Sequence, residues 1–282
     1  MDTGGAGGSG LYVINAPTAK RLGLKVDDCA LGDEHAGVVA AIGWREGKAL
    51  PVSAHSACNA VALVSKDYGL TEGIDGVLGA GYLPGHVWTF DYPDKRLWLE
   101  PVAWRPAATA HRTELGFELN EHGGLATGFP RIQIHVDGQA VDLLLDTGAT
   151  AKPTAVGERA SGIPTVRGIG VTSYITTGVF NRWHSAHPNW RVVGAGDDLL
   201  GSRFESRLIE VPQIEVAGWK LGPVWFTERP DGAFRGQMSQ WMDRPIDGSL
   251  GANVLAHFVM TLDYPRRALW LDCAHGCGAS GK

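Results

Sequence analysis

The sequence predicts an all-β protein made of two related lobes, and three observations carry that prediction. Residues 74–100 (IDGVLGAGYLPGHVWTFDYPDKRLWLE) align without gaps to residues 246–272 (IDGSLGANVLAHFVMTLDYPRRALWLD) at a constant offset of 172, with 15 of 27 positions identical. Upstream of each block stands Asp-Thr-Gly, at Asp2-Thr3-Gly4 and at Asp146-Thr147-Gly148, so the same two signposts occur twice in the same order. The 39 glycines, about twice the usual share, mark many tight turns, and short alternating runs lie between them.

Along the chain, residues 16–22 read as a short amphipathic helix after a glycine-rich loop. Residues 87–90 and 97–99 read as a hairpin turning at Tyr92-Pro93. Residues 101–113 (PVAWRPAATAHRT), with two prolines and many small side chains, read as an interlobe linker, which sets the lobes at 1–105 and 106–282. In the second lobe residues 131–136 (RIQIHV), a turn at Asp137-Gly138 and residues 140–145 make a hairpin that feeds the second Asp-Thr-Gly. Residues 208–216 and 224–227 read as further strands, and residues 253–257 as a short helix capped by Asn253. Residues 259–262 and 269–271 repeat the first lobe's hairpin. From Asp146 to Ile246 there are 100 residues, against 72 from Asp2 to Ile74, and the additional length is expected as an insertion around 173–207.

A net charge of −5 with scattered basic residues gives no footprint for a nucleic acid. No apolar run is long enough for a membrane span, and the first ten residues lack the basic and apolar regions of a signal peptide. Cys29, Cys58, Cys273 and Cys277 leave the redox state open: bridges within each pair fit an exported protein, free thiols an internal one. Cys273-Ala-His-Gly-Cys277 invites a metal reading, but the paired spacing of a structural zinc site is missing, and no metal is expected. Residues 5–10 satisfy GxGxxG, with Asp27 and Asp28 downstream. That fingerprint needs a strand before it and βα units after it, and only four residues precede Gly5. His184 and His187 have no acidic companion in a metal motif and read as surface residues of the insertion. Trp183, Trp190, Trp219, Trp225 and Trp241 read as core filling, with the lining of a substrate pocket as the alternative.

The run at 141–145, broken only by Asp142, delivers Asp146 from a buried strand into a turn. Burying a carboxylate is costly unless it has a partner, and the natural partner is its equivalent, Asp2. Here the chain resembles the aspartic peptidases, and within them the bacterial retropepsin-like group, over nearly its whole length. Asp2-Thr3-Gly4 with residues 12–24 (YVINAPTAKRLGL) looks like that group's catalytic turn and following helix. Val77-Leu78-Gly79 and Ser249-Leu250-Gly251 look like its second signature, from which Ser249 departs by not being apolar.

The resemblance implies two pseudo-twofold-related β-barrel lobes with few short helices, acting as a monomer because both aspartates lie in one chain. It implies hydrolysis of a peptide or protein substrate by water held between Asp2 and Asp146, with neither metal nor cofactor. One carboxyl is then general base and the other general acid, as in aspartic peptidases at large. Thr3 and Thr147 would lock the two turns together, and Gly4 and Gly148 would let backbone approach the carboxylates. A flap over the substrate is sought at residues 38–54, around Glu46-Gly47-Lys48, or at 167–178, around Tyr174.

The rival reading is a non-catalytic scaffold of the same fold that binds peptide or protein. Only Met1 precedes Asp2, whereas residues 115–145 precede Asp146. This predicts a shortened start, an export signal lost with the missing strand from a periplasmic or secreted protein, and an Asp2 that is mobile and more acidic than Asp146.

Overall fold

The computed structural model describes the chain apart from residues 7–9, 54–55, 66–72 and 280–282. Strand makes up 39% of the chain and helix 16%, so β-sheet dominates a fold that is mixed rather than all-β. In the first repeat β1 (Tyr12–Asn15) runs into α1 (Ala16–Arg21), and β2 (Asp27–Leu31), β3 (Glu34–Val39), β4 (Ala62–Ser65) and β5 (Gly76–Val77) complete a sheet of order β2-β3-β4-β1-β5. Asn15 caps α1 by accepting from the Thr18 N–H, and Pro17 fits the first turn, where its missing donor costs nothing.

The hairpin β6 (Val87–Asp91) and β7 (Arg96–Leu99) follows, then β8 (His111–Glu114). The expected linker therefore ends in a strand. The alternating exposure of its four residues is the strand period that the proline-rich start of the segment conceals. β9 (Arg131–Val136) and β10 (Gln139–Leu145) turn at Asp137-Gly138, where φ is 50° and 74°, the positive pair that a two-residue hairpin turn requires.

Next come β11 (Thr150–Ala151), α2 (Ala155–Ser161), β12 (Gly170–Val171), β13 (Ser173–Thr176) and α3 (Thr177–Ala186). β14 (Val192–Asp197), β15 (Ser206–Val211), β16 (Ile214–Val216), β17 (Trp219–Leu221), β18 (Val224–Arg229) and β19 (Gly248–Leu250) precede α4 (Ala252–Leu255), and β20 (Phe258–Asp263), β21 (Ala268–Cys273) and β22 (Cys277–Ala279) close the chain. Asn253 lies inside α4, not at its cap. Its side chain instead donates to the Trp225 carbonyl and accepts from the Ser173 hydroxyl.

One large sheet has the order β14-β15-β18-β13-β19-β10-β9-β16-β17-β22. Its first five strands repeat β2-β3-β4-β1-β5 with every pairing in the same sense, including parallel β13–β18 against parallel β1–β4. Val13 faces Val77 as Tyr174 faces Ser249. Equivalent residues thus differ by 144 at Thr3 and Thr147, by 161 at Val13 and Tyr174, and by 172 at Val77 and Ser249. Most of the second repeat's additional length therefore lies between Asp146 and β13, in the stretch that holds β11, α2 and β12, with the smaller part after β13.

A third sheet, β7-β6-β20-β21-β8, joins the repeats, with β6 antiparallel to β20 and Thr89 opposite Thr261. Apolar residues of both repeats share one core, among them Tyr12, Leu83 and Trp88 from the first and Ile132, Phe180 and Leu271 from the second. Disulfides join Cys29 to Cys58 and Cys273 to Cys277, with Cα separations of 6.2 and 6.3 Å, so the latter pair's thiolates are not free for a metal. His184 and His187 are half-buried rather than surface residues. His187 stacks on Trp190 and pairs with Asp137 at 3.1 Å. Among the described residues no helix is long and apolar enough to cross a membrane.

Candidate functional site

β10 runs between β9 and β19, and Val141, Leu143, Leu144 and Leu145 are all buried, which is why its sequence is almost continuously apolar. Where it ends, the Asp146 N–H donates to the Leu250 carbonyl at 3.0 Å. The Asp2 N–H donates to the Leu78 carbonyl at the same distance, and Leu78 is the equivalent of Leu250. Each repeat thus ties its Asp-Thr-Gly to its own Leu-Gly signature.

Between repeats the two turns are crossed. The Thr147 N–H donates to Thr3 Oγ1 at 3.0 Å and the Thr3 N–H to Thr147 Oγ1 at 3.1 Å. The Thr3 hydroxyl donates to the Leu145 carbonyl at 2.5 Å, and the Thr147 hydroxyl to the Met1 carbonyl at 3.2 Å. Each threonine accepts from the opposite turn and donates into the backbone leading to it, so neither turn can shift alone.

The glycines are needed for space. A Cβ on Gly4 would stand 2.4 Å from Asp146 Cγ, and one on Gly148 would stand 2.4 Å from Asp2 Cγ, well inside van der Waals contact. The Gly4 and Gly148 N–H groups donate to Oδ1 of Asp2 and Asp146 respectively, each at 2.9 Å. The two carboxyls are near enough for each to bias the other's ionisation, Asp146 buried at 9% exposure and Asp2 less deeply. All six residues singled out from the sequence are therefore brought together.

Burial, reinforced by the charge of Asp2, pushes Asp146 up to about 7 against the opposing pull of the Gly148 N–H. Asp2 is raised too, by burial first, with the Gly4 N–H and the Met1 α-ammonium opposing. Asp2 is pinned through its backbone and its side chain.

No protein-family model matches the chain, and no curated protein is significantly similar to it.

Three further residues lie near the carboxyls: the sequence reads Ser249 as part of the second signature, Tyr174 as the centre of a flap candidate and Tyr92 only as a hairpin turn. Ser249 is wholly buried, its Oγ makes no hydrogen bond of good geometry among the described residues, and it lies near enough to Asp146 to favour the anion. The phenols of Tyr92 and Tyr174 are raised chiefly by burial, to which the charge of Asp146 adds. At Tyr174 a buried Arg229 opposes the rise. Its guanidinium lies 4.2 Å from the ring and pairs with buried Asp197 at 3.1 Å. In the first repeat the apolar Val13 and Val77 occupy the positions of Tyr174 and Ser249, so the two repeats surround the pair differently.

Residues 167–178 are no free flap. Gly170–Val171 pairs with β11, and Tyr174 lies buried in β13, its hydroxyl donating to the Thr150 carbonyl. Residues 40–53 carry neither helix nor strand, and Ala54 lies outside the described residues. So do residues 7–9 of the glycine-rich run. The Gly5 and Ala6 carbonyls accept from the Ala80 and Gly81 N–H groups, which gives that part of the run a packing role.

Proposed function

We propose that this chain is an aspartic-type endopeptidase of the retropepsin-like kind, its two β-barrel lobes, 1–105 and 106–282, meeting at Asp2 and Asp146. The observation that carries this reading is the reciprocal lock of two Asp-Thr-Gly turns, which brings two carboxyls of opposite repeats together with a glycine packed against each. A single buried ion pair or a lone turn gives no reason for such symmetry.

In this reading a water held by both carboxyls attacks the scissile carbonyl of an extended peptide. The ionised carboxyl takes the water's proton, while the protonated one donates to the developing oxyanion and then assists departure of the amine. Deeper burial disfavours charge most at Asp146, which makes Asp146 the acid and Asp2 the base. Thr3, Thr147, Gly4 and Gly148 position the pair, and no cofactor is required. One chain supplies both carboxyls, so a monomer suffices. The two disulfides favour an oxidising compartment, periplasmic or extracellular.

The test is cleavage of an unfolded protein between pH 3 and 7 by the chain and by Asp146→Asn, with and without a pepstatin-like inhibitor. Cleavage that the inhibitor blocks and the substitution abolishes supports the peptidase. The low exposure of Asp146 favours a second reading, a scaffold that binds peptide without cutting it. Saturable peptide binding with no cleavage at any of these pH values would establish that reading instead.

A further inference from the structure

We infer that the chain in its dithiol form carries a zinc site at the end of β21, made by Cys273, Cys277, His257 and His275, and that the metal and the Cys273–Cys277 disulfide are alternative occupants of one place. This inference does not rest on the peptidase reading. It starts from the run Cys273-Ala-His-Gly-Cys277, whose three intervening residues fall within the spacing that zinc sites use for a cysteine pair. With the bridge closed the two sulfurs are bonded to one another, and no three potential metal ligands converge among the described residues.

Two histidines stand where a second cysteine pair would be needed. β21 ends at Cys273, opposite Phe258 of β20, and the chain then turns over His257, whose carbonyl accepts from the Ala274 and His275 N–H groups at 2.9 and 3.4 Å. The His257 and His275 rings come to 5.0 Å between centroids, tilted by 42°. Two imidazoles bound to one tetrahedral zinc, each at about 2.0–2.1 Å, have their ring centres about 5 Å apart. His257 Nδ1 lies 3.0 Å from the His275 carbonyl, and donation to it leaves Nε2 with the lone pair that a metal takes. The loop is shaped around this imidazole, since a Cβ on Gly276, where φ is 75°, would stand 2.9 Å from His257 Nδ1.

Two thiolates and two neutral imidazoles are the tetrahedral donor set that suits zinc. His275 is exposed and both cysteines are partly buried, so the ion has an approach from solvent and two ligands set in the protein. The fold does not demand these residues, because at the offset of 172 the first repeat carries Gly85, Pro101, Ala103 and Arg105 instead. Binding of the ion releases the two thiol protons. A disulfide oxidant reverses it: the thiolates pass two electrons to the oxidant, the Cys273–Cys277 bond forms, the zinc ion leaves, and the oxidant takes up two protons to become a dithiol.

The full chain, reduced by a phosphine without oxygen and titrated with Co²⁺ and then Zn²⁺, tests this. The expected result is the visible absorption of tetrahedral cobalt with a thiolate charge-transfer band, saturating at one ion per chain, displaced by zinc and missing from the oxidised chain. His257→Ala and His275→Ala each weaken zinc binding by about tenfold or more, as read by competition with a chromophoric chelator. His275→Ala changes an exposed side chain, and circular dichroism checks that its fold is kept. Cys273→Ser removes half of the charge-transfer intensity or all of it, whereas Cys29→Ser leaves the spectrum as it was. Lack of a tetrahedral spectrum in the reduced chain overturns the inference. So does a spectrum indifferent to both histidine substitutions, or one that is lost with Cys29.

Discussion

The hydroxyls of Thr89 and Thr261 meet at 2.8 Å in the buried centre of the joining sheet, and the two residues are separated by 172, the offset of the repeat itself. Equivalent residues of two repeats can touch one another only on the axis that relates them, so this hydrogen bond marks a local twofold. Thr3 and Thr147, bonded crosswise, mark it a second time at the candidate site.

Thr89→Val leaves the Thr261 hydroxyl buried without its partner and should cost about 1–2 kcal/mol. Thr89→Val with Thr261→Val removes both polar groups and should recover most of the loss. Urea denaturation of the two singles and the double measures this. Additive losses would show that the two hydroxyls do not act as a unit.

Thr3→Val removes the acceptor for the Thr147 N–H and the donor to the Leu145 carbonyl, both at a wholly buried position. A loss of about 2–4 kcal/mol is expected. Thr3→Ser keeps the hydroxyl and should stay within about 1 kcal/mol of the parent. Thermal melts of the two variants distinguish the lock from simple packing, because valine preserves the volume.

Asp146 binds its proton more tightly folded, at about 7, than at the ordinary 3.8. The folded chain therefore holds the extra proton between these values. The resulting stability is complete below about pH 4 and is lost as pH rises through about 7, up to an amount on the order of 4 kcal/mol. Asp146→Asn abolishes that dependence, so its Tm should exceed the parent's at pH 8 and match it at pH 4. Calorimetry at both pH values checks the sign, and an asparagine variant less stable than the parent at pH 8 contradicts it.

Cys29 and Cys58 are 29 residues apart, Cys273 and Cys277 only four. Chain entropy alone gives the longer loop about 3.6 kcal/mol and the shorter about 2 kcal/mol. Replacing each pair by serine should lower the denaturation midpoint in that order.

Much of the architecture was readable where it rested on local signals. The hairpins β6–β7 and β20–β21, the turn at Asp137-Gly138 and the paired Asp-Thr-Gly all lie in short stretches whose residue types suffice to recognise them. α3 escaped notice because its buried stripe of Val179, Phe180 and Trp183 is narrow and it begins at Thr177-Gly178, a poor helix start. β8 was hidden by the prolines before it. Tyr174 and Ser249 come near Asp146 because β19 pairs with both β13 and β10, pairings between residues far apart in the chain that no short pattern reveals. The sequence named the cysteine pairs but left their oxidation state open, because spacing alone does not report the redox environment.

The most direct test of the account follows both carboxyl carbons by NMR from pH 2 to 9, in the parent and in Asp2→Asn. The account predicts that Asp146 titrates near 7 in the parent and at a lower pH once the neighbouring charge is gone. An Asp146 that titrates near 4 in the parent, or whose titration is indifferent to residue 2, would contradict the claim that these two side chains share a proton.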